Sequence, residues 1–454
     1  MSTVQPPKPY LTGHYAPVAD EHTVTALRVR GTLPPELTGR YFRNGHNPRP
    51  GVTPTHWFRG SGMIHGLRLR DGRAEWYRNR WVRTPAFEHD APLMREDGSI
   101  DLAASVAGTH IIEHAGRLLA LQEANLPFEV TPELDTVGAY DFGGKLTTAM
   151  TAHPKEDPVT GELHFFAYSP FPPHLIYYVA SADGALIRSE VVEGAGPSLM
   201  HDFAITENHV VWLDLSVVFD PAEHSGIPYR WSDAYAPRIG VMPRTGPART
   251  TWYEVEPGAL LHVTNASEDA QGRITVEGPR YDRAAWETSW KWWVGAPGHP
   301  NTPLTGALGT RWTLDPATGK ATEEAVDDLT TEFPTINDER LGRANRYGYA
   351  VAFPGAGLEE YALVKYDSAT GARQLMPVGP GVMPGEAVFV PAEGGTAEDH
   401  GYLLTITSDI VRDTSELLVV DATDLSRDPI AVVELPRRVP GGIHGSWIPD
   451  TDLS

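Results

Sequence analysis

Short runs in which apolar and polar residues alternate recur along most of this chain, and they constrain its fold more than any other feature. A period of two places every second side chain on the same face of an extended strand. Each run is about as long as a typical β-strand, and amphipathic helical periods are scarce. The clearest runs are GRLLALQEA (116–124), ELHFFAY (162–168), HLIYYVAS (174–181), NHVVWLDL (208–215), RITVEG (273–278), YGYAVAF (347–353), GYLLTITS (401–408) and ELLVVDAT (416–423). The sequence therefore predicts an all-β fold.

A repeated turn motif separates strand-length segments of this kind. The pattern D-x-x-T-G occurs at 157–161, 315–319 and 367–371. Asp accepts hydrogen bonds from nearby backbone N–H groups, and Gly tolerates the positive φ at which such a turn ends. Each motif therefore predicts the tip of an antiparallel hairpin.

Hairpins along the whole length leave a sandwich, a barrel or a propeller as the architecture. A propeller of four-stranded blades fits 454 residues best, because a simple barrel or sandwich would need fewer strands. No interior domain boundary is visible in the sequence. We therefore expect one β-propeller domain over residues 1–454, with residues 1–30 as an arm packed on its surface.

The charge and the absence of cysteine exclude several classes of function. Lys and Arg number 37 and Asp and Glu number 59, which gives a formal net charge of −22. Such a chain repels phosphate groups, so we expect no nucleic-acid partner and at most weak peripheral contact with a membrane. With no cysteine, only His, Asp or Glu could hold a metal. No run reaches the ~18 apolar residues of a membrane span, and residues 1–18 do not resemble a signal peptide, so we expect a cytoplasmic protein, peripheral to the membrane at most.

Four of the 18 histidines lie at or near the end of an alternating run, among apolar or small residues: His153, His201, His262 and His444. In LMHDFAI (199–205), the period of two places His201 on the same face as Phe203. Taken alone, each of the four is better interpreted as a core histidine bonded to a backbone carbonyl. Histidines in segments rich in Pro, Gly and acidic residues are interpreted as surface or turn residues: His14, His22, His56, His89, His224, His299 and His400.

Three glutamates share this apolar setting. Glu123 and Glu386 each share a strand face with two apolar residues, and Glu332 is followed by Phe and Pro. An inward carboxylate costs several kcal/mol unless a donor pairs with it. The free ring N–H of a metal-bound imidazole is such a donor, and a carboxylate is its usual acceptor. The two sets together suggest a metal centre, because a propeller brings one inner strand per blade to a common axis.

Nine segments, in order along the chain, resemble the carotenoid cleavage oxygenases, whose relatives include lignostilbene- and isoeugenol-type alkene-cleaving dioxygenases. They are RYFRNGHNP (40–48), HWFRGSGMIHG (56–66), NRWVRTPAF (79–87), TAHPKEDPVTGEL (151–163), MHDFAIT (200–206), LHVTNASED (261–269), TEFPTIN (331–337), GEAVFVP (385–391) and IHGSWIP (443–449). The resemblance implies a seven-bladed β-propeller with loops and short helices capping the active-site face.

The resemblance also implies the site and the reaction. One Fe(2+) per chain would lie on the propeller axis, held by His153, His201, His262 and His444. Glu123, Glu332 and Glu386 would support His201, His262 and His444, in that order. His153 would have no carboxylate partner, so we expect its free ring nitrogen to meet a backbone group, a hydroxyl or water. The implied reaction is cleavage of a C=C bond of a carotenoid or apocarotenoid by O2, with two carbonyl products.

This chain departs from the family pattern at three places. HWFDGDGM and RNGPNP are usual where this chain has HWFRGSGM (56–63) and RNGHNP (43–48), and we interpret His46 as a loop residue. Stilbene and isoeugenol cleavers typically hold the phenol hydroxyl with a Lys and a Tyr, where this chain has Gln122 and Trp81. Loss of both groups favours an apolar polyene substrate, with Trp81 and Gln122 as candidate pocket residues, although Gln122 could still bond a hydroxyl.

Several alternatives stay open at this point. The same scaffold could carry a stilbene- or propenyl-phenol-cleaving oxygenase or a retinoid-type isomerase, and a non-catalytic ligand-binding propeller is an alternative from another class. The aromatic segment WETSWKWWVG (286–295) fits a tunnel lid or a membrane-touching patch as well as it fits ordinary packing. The oligomeric state is expected to be a monomer or a homodimer.

Overall fold

Antiparallel strands arranged as blades around a central axis make up most of this molecule. The computed structural model describes residues 7–93, 95, 100–224, 226–299, 302–355 and 357–453. All eight alternating runs form strands, within a residue or a few of the predicted bounds. The all-β prediction is therefore confirmed.

The first three blades contain the amino-terminal strands and the last strand of the chain. Blade 1 contains β1 (His22–Thr25), β3 (Gly39–Arg43), β4 (Met63–Arg70), β5 (Arg73–Trp81) and β33 (Gly445–Pro449), in the order β1-β5-β4-β3-β33. Blade 2 contains β6 (His110–His114), β7 (Arg117–Leu121), β8 (Phe128–Val130) and β9 (Thr136–Ala139). Blade 3 contains β10 (Lys155–Glu156), β11 (Leu163–Tyr168), β12 (Leu175–Ala180) and β13 (Leu186–Val191).

The remaining blades follow in chain order. Blade 4 contains β14 (Ala204–Ile205), β15 (His209–Asp214), β18 (Arg238–Pro243) and β19 (Thr251–Glu254), and β16 (Val217–Phe219) pairs with β17 (Tyr229–Trp231) beside it. Blade 5 contains β20 (Ala259–Leu260), β21 (Asn265–Glu268), β22 (Ile274–Tyr281), β23 (Leu308–Asp315) and the first part of β24 (Lys320–Thr335). Blade 6 contains the end of β24, β25 (Tyr347–Ala352), β26 (Ala362–Asp367) and β27 (Ala372–Pro377). Blade 7 contains β28 (Val382–Pro384), β29 (Val388–Pro391), β30 (Gly401–Asp409), β31 (Thr414–Asp421), β32 (Ala431–Glu434) and β2 (Val29–Gly31).

Strands from both ends of the chain close the ring of seven blades. β33 pairs with β3 in blade 1, and β2 pairs with β32 in blade 7. The first 30 residues, predicted to be a surface arm, contribute β1 and β2, and Tyr10 and Tyr15 are buried; residues 1–6 lie outside the described residues. Because closure uses both ends, we propose that the chain forms one domain.

The three D-x-x-T-G motifs form the predicted hairpin tips. Gly161, Gly319 and Gly371 have φ values of +67°, +69° and +71°. The N–H of each glycine donates to the carbonyl of the aspartate that begins its motif, at 2.8–2.9 Å. That prediction is confirmed, and its basis is local: an aspartate starts the turn and a glycine in the left-handed region ends it.

Short helices connect the strands, and a group of buried aromatic residues covers one side of the propeller. The helices are α1 (Pro85–His89), α2 (Arg283–Trp293) and five 3-10 turns at Pro9–Leu11, Gly13–Tyr15, Trp57–Arg59, Asp338–Arg340 and Asp450–Leu453. We call Tyr10, Tyr15, Trp57, Trp286, Trp292 and Trp293, which belong to one buried cluster, the aromatic cap. The tryptophans of α2 at 286, 292 and 293 are 1–2% exposed, which agrees with ordinary packing and leaves almost none of these three rings at the surface. Among the described residues, no helix is both long enough and apolar enough to cross a bilayer.

Candidate metal centre

Four blades each bring one imidazole to the propeller axis. His153, His201 and His262 lie just before the inner strands β10, β14 and β21, and His444 directly precedes β33. One ring nitrogen from each of His153, His262 and His444 lies within 4.8 Å of the other two. Nε2 of His201 lies 3.0 Å from Nε2 of His153. The structure thus brings together the four histidines that were singled out in the sequence.

The predicted glutamates lie behind three of these histidines. His262 Nδ1 donates to Glu332 at 2.6 Å, and His444 Nδ1 donates to Glu386 at 2.9 Å. His201 Nδ1 donates to Glu123. An ionised carboxylate only accepts, so the ring proton lies on Nδ1 and the Nε2 lone pair is left for the axis.

Each glutamate is itself held through its second oxygen. Tyr281 OH donates to Glu332 at 2.8 Å, and the N–H of Gly445 donates to Glu386 at 2.8 Å. Tyr168 OH donates to Glu123. These contacts compensate the burial of the carboxylates and fix their orientation toward the imidazoles. Tyr168 and Tyr281 had no distinguishing pattern in the sequence, because their function depends on a contact with a distant blade.

A strained residue shapes the site beside Glu332. Phe333 has φ +54°, which is uncommon for a residue with a bulky side chain, and it lies at an irregularity in the pairing of β24 with β25. This irregularity lets adjacent residues both face the centre. Glu332 bonds His262, and the Phe333 ring stacks on His262 with its centroid 5.5 Å away. Backbone strain of this kind persists where surrounding contacts compensate it.

Burial and neighbouring charges set the protonation of the cluster. Burial, with smaller effects from the other rings, holds the pKa of His153 well below its usual value. Burial lowers the pKa of His444, although Glu386 opposes this effect. Burial also lowers the pKa of His201, but the charge and hydrogen bond of Glu123 outweigh this effect, so the pKa of His201 is raised. Burial therefore favours the neutral imidazole at His153 and His444, whereas at His201 the carboxylate of Glu123 favours the protonated ring.

His153 has surroundings that differ from those of the other three histidines. No described carboxylate pairs with it, and its Nδ1 forms no hydrogen bond with a described residue. The predicted backbone or hydroxyl partner is therefore not found, and a water partner stays a prediction. The backbone N–H of His153 donates to Thr151 Oγ1 at 3.1 Å, which helps to fix the position of the residue.

A buried ion pair links three of the segments that carry these histidines. Lys155 Nζ lies 2.7 Å from one oxygen of Asp202, which is 2% exposed. The other oxygen of Asp202 accepts from the N–H of Val263 at 2.7 Å. Lys155, Asp202 and Val263 lie close in sequence to His153, His201 and His262 respectively. We call the Lys155–Asp202 pair and its bond to Val263 the brace. The sequence did not predict the brace, although Asp202 directly follows His201.

His110 is a second residue that sequence reasoning missed. It begins the inner strand β6 of blade 2, the position that the four proposed ligands occupy in other blades. Its ring centroid lies 5.1 Å from that of His444, and its nitrogens contact Ala152 O at 3.3 Å and Ser446 Oγ at 3.1 Å. Because protein groups contact both nitrogens, His110 packs beside the cluster and its ring is not free to bind a metal. The alternating run HIIEH (110–114) could have drawn attention to it.

The two candidate pocket residues are both engaged with protein groups. Trp81 is buried with Val18, Met63 and Phe87, and its indole N–H donates to Asn47 O at 2.8 Å. Gln122 accepts from Thr109 Oγ1 at 3.2 Å. The carbonyl of Thr109 accepts from the N–H of His444, so Gln122 lies near the cluster.

The histidine cluster lies between two different environments. Leu261 and Ile443, which precede His262 and His444, pack with the aromatic cap. Val263 and Gly445, which follow the same histidines, line a cavity of about 520 Å³ along the inner strands, which we call the axial cavity. One side of the cluster is therefore covered by apolar residues, and the other opens to a cavity whose charged lining residues are mostly carboxylates.

The histidine cluster fits a metal ion. Nε2 of His262 and Nε2 of His444 are buried without a hydrogen-bond partner among the described residues, and an orphaned buried acceptor is costly. Two nitrogens bound at right angles to one metal, each at ~2.1 Å, would lie roughly 3 Å apart, which is close to the 3.0 Å between His153 and His201. Imidazole suits iron, zinc, copper and nickel, so the donor set alone does not select one of them.

Comparisons with known proteins agree with this architecture. A model of the family described as retinal pigment epithelial membrane protein (RPE65) matches residues 15–449. Over 98% of its length the chain is 39% identical to a carotenoid cleavage oxygenase of Mycobacterium tuberculosis, covering 98% of that relative. It is 31% identical over 98% of its length to carotenoid 9,10(9',10')-cleavage dioxygenase 1 of Phaseolus vulgaris, covering 90% of it.

Solved structures share the fold over almost the whole chain. Pseudomonas brassicacearum lignostilbene dioxygenase superposes with a TM-score of 0.85 at 28% identity, over 98% of this chain and 99% of that one. Cobalt-substituted Synechocystis ACO superposes with a TM-score of 0.82 at 25% identity, over 95% of this chain and 97% of that one. The predicted seven-bladed propeller is confirmed, and the chain belongs to the carotenoid cleavage oxygenase family.

Proposed function

We propose that this protein is a non-haem iron(II)-dependent dioxygenase that cleaves a C=C bond of a carotenoid or apocarotenoid with O2 to give two carbonyl products. The observation that carries this proposal is the convergence of His153, His201, His262 and His444 in a chain whose relatives are named carotenoid cleavage oxygenases. Nε2 of His262 and Nε2 of His444 have no hydrogen-bond partner among the described residues. When bound, Fe(2+) would supply the binding and activation of O2.

The residues of this chain would prepare the site for that chemistry. Glu123, Glu332 and Glu386 keep the ring proton on Nδ1, so Nε2 of each partner histidine stays a donor to the metal. Four neutral imidazoles add no charge, so the ion would keep its full positive charge. Leu261, Phe333 and Ile443 cover the cluster on the side of the aromatic cap and keep water from it.

An apolar polyene agrees with what the pocket candidates present. The indole N–H of Trp81 is used by Asn47 O, and the side-chain oxygen of Gln122 already accepts from Thr109. Neither residue therefore offers a ready charged or acidic group for a phenol hydroxyl. A second candidate function, cleavage of a stilbene or propenyl phenol, is supported by the likeness to lignostilbene dioxygenase.

Metal binding and product analysis test the proposed function. Purification without a His-tag, anaerobic loading with Fe(2+) and metal analysis should give one iron per chain. Incubation with a carotenoid, an apocarotenal and a stilbene under 18O2 should give labelled carbonyl products from the polyenes. Protein that cannot be loaded would contradict the proposal, labelled products from the stilbene alone would favour the second candidate, and an isomerised product without label would indicate an isomerase.

A further inference from the structure

The axial cavity connects the buried histidines with the exterior. His153, His262 and His444 line one part of it, and Asp338, Glu339 and Asp452, which are exposed, line another. Its volume of about 520 Å³ greatly exceeds the ~30 Å³ that one water molecule occupies in the liquid. A hydrated small ion therefore fits inside it.

Carboxylates dominate the charged groups of the axial cavity: Glu113, Glu156, Asp202, Asp338, Glu339, Glu386 and Asp452. The ammonium group of Lys155, which also lines the cavity, pairs with Asp202. Glu156 and Glu386 pair with His114 and His444. Within the described ranges no ion pair involves Glu113, Asp338, Glu339 or Asp452, so the cavity carries uncompensated negative charge.

Asp338 lies where this negative charge is concentrated. It is surrounded by the propeller, yet its side chain reaches the solvent of the axial cavity. Burial and the charges of Glu386 and Glu156 raise its pKa to about 6, although Lys155 opposes them. It is therefore still mostly ionised at neutral pH, and no described side chain neutralises it.

The cavity ends at two buried ring nitrogens that can accept a hydrogen bond or bind a cation. Nε2 of His262 and Nε2 of His444 are buried, and neither has a hydrogen-bond partner among the described residues. The opposite side of the cluster is closed by Leu261, Phe333 and Ile443 and by the aromatic cap. A hydrated cation would have to lose water to cross that apolar layer, whereas the axial cavity offers it carboxylates.

We propose that the axial cavity is the route by which a divalent cation reaches the four histidines, and that Asp338 and Glu339 attract the ion into it. This inference rests on the proposed function, because it concerns delivery to the same metal centre. A cleft lined by one sign of charge, with walls of low dielectric constant, raises association rates by 10- to 1,000-fold.

Uptake of Co(2+) or Fe(2+) by metal-free protein tests the route. The rate constant is measured by anaerobic stopped flow, with a chromophoric chelator as competitor, for the wild type, Asp338→Asn, Glu339→Gln and the double variant. The matched control is Glu359→Gln, which removes an exposed carboxylate outside the cavity. At low ionic strength the double variant should take up the metal roughly tenfold more slowly. The final stoichiometry should be unchanged, and the difference should shrink in 1 M salt, where the Debye length is ~3 Å.

The outcomes separate this inference from the proposed function. Wild-type protein that never binds one metal per chain would contradict the proposed metal centre itself. Wild-type binding at full stoichiometry, with equal rate constants for the double variant and Glu359→Gln, would contradict only the route. Charge reversal by Asp338→Lys should slow uptake further, and an unchanged rate would also overturn the proposal.

Discussion

At the scale of single residues, a carboxylate behind an imidazole decides which ring nitrogen faces the axis. Glu332 accepts from His262 Nδ1 at 2.6 Å, from Tyr281 OH at 2.8 Å and from the N–H of Phe333 at 2.8 Å. Three donors fix the orientation of this carboxylate, so it holds the His262 ring in one tautomer and one orientation. An amide cannot replace it without presenting N–H groups to at least one of these donors.

Glu332→Gln should therefore weaken metal binding by about 10- to 100-fold. The measurement is competition for Co(2+) against a chromophoric chelator. The matched control is Glu268→Gln, because Glu268 accepts from His209 Nδ1 at 2.7 Å outside the cluster. Equal affinities for the two variants would show that the His262–Glu332 bond does not support the metal.

Asp338 gives a second prediction at this scale, concerning stability. Its pKa is raised to about 6 from the model-peptide value of 3.8, so between these two values the folded state binds more protons than the unfolded state. The free energy of unfolding therefore falls as the pH rises through this window, and the loss is complete above pH 6. Because the Asp338 side chain is exposed to solvent, we expect the loss in the free energy of unfolding to be at most about 1 kcal/mol.

Asp338→Asn should remove this loss. Urea unfolding of the metal-free protein at pH 4.5 and 7.5 should show the variant gaining about 1 kcal/mol relative to wild type at the higher pH. Glu359→Gln serves as the exposed control, and no relative gain is expected for it. A gain of the same size in both variants would mean that net charge, and not the position of Asp338, causes the effect.

At the scale of strands and loops, the Lys155–Asp202 pair links segments of three neighbouring blades around the cluster. Asp202 has one oxygen on Lys155 at 2.7 Å and the other on the N–H of Val263 at 2.7 Å. Removing one member leaves the other charged and buried, which costs more than removing both. The brace therefore predicts strong coupling between the two side chains.

Asp202→Asn and Lys155→Met should each destabilise the metal-free protein by roughly 2–4 kcal/mol, and the double variant by less than their sum. The free energy of unfolding in urea measures this, and Co(2+) affinity should fall with it as the histidines lose their alignment. Asp233→Asn is the control, since its partner Arg283 and Asp233 itself are exposed and such pairs contribute little. Additive effects at 155 and 202 would exclude a brace.

Also at this scale, some elements could be predicted from sequence and others could not. Runs such as ELHFFAY (162–168) and the D-x-x-T-G turns depend on neighbouring residues only, and they were found. Strand β24 was not predicted, because Lys320–Thr335 lacks a continuous alternation of apolar and polar residues. Its first part pairs with β23 in blade 5 and its end pairs with β25 in blade 6. His110 and Asp202 were missed because their importance comes from contacts with other blades. The pairing of glutamates with histidines came from the family resemblance, since no local pattern specifies it.

At the scale of the whole molecule, closure of the ring forces residues from many loops into a dry interior. His46, for which a loop position was predicted, lies outside the strands but is 3% exposed and packs against Trp57 and Phe58. His56, interpreted as a surface or turn residue, is also buried. A sequence rich in Pro and Gly does not show this, because loops on the cap side pack against one another as well as facing solvent.

Such burial should make the metal-free protein sensitive to acid. Burial lowers the pKa of His46 to about 4, although a bond to Gly60 opposes it, and lowers the pKa of His164 to about 3 with help from Arg244. Unfolded histidine titrates near 6.5, so below that pH the unfolded state binds more protons. The stabilisation is complete above pH 6.5 and is lost as the pH falls toward 4.

His46→Gln isolates one part of this loss. The variant should be less stable than wild type at pH 7.5, because it disturbs the packing with Trp57 and the bond to Gly60. Lowering the pH from 7.5 to 4.5 should reduce the free energy of unfolding of both proteins. The reduction should be about 2 kcal/mol smaller for the variant, because glutamine does not bind a proton in the unfolded state. Chemical denaturation at both pH values measures this, with exposed His89→Gln as the control. If His46→Gln and His89→Gln lose stability in parallel, the acid sensitivity arises from other groups, and His46 contributes only its packing.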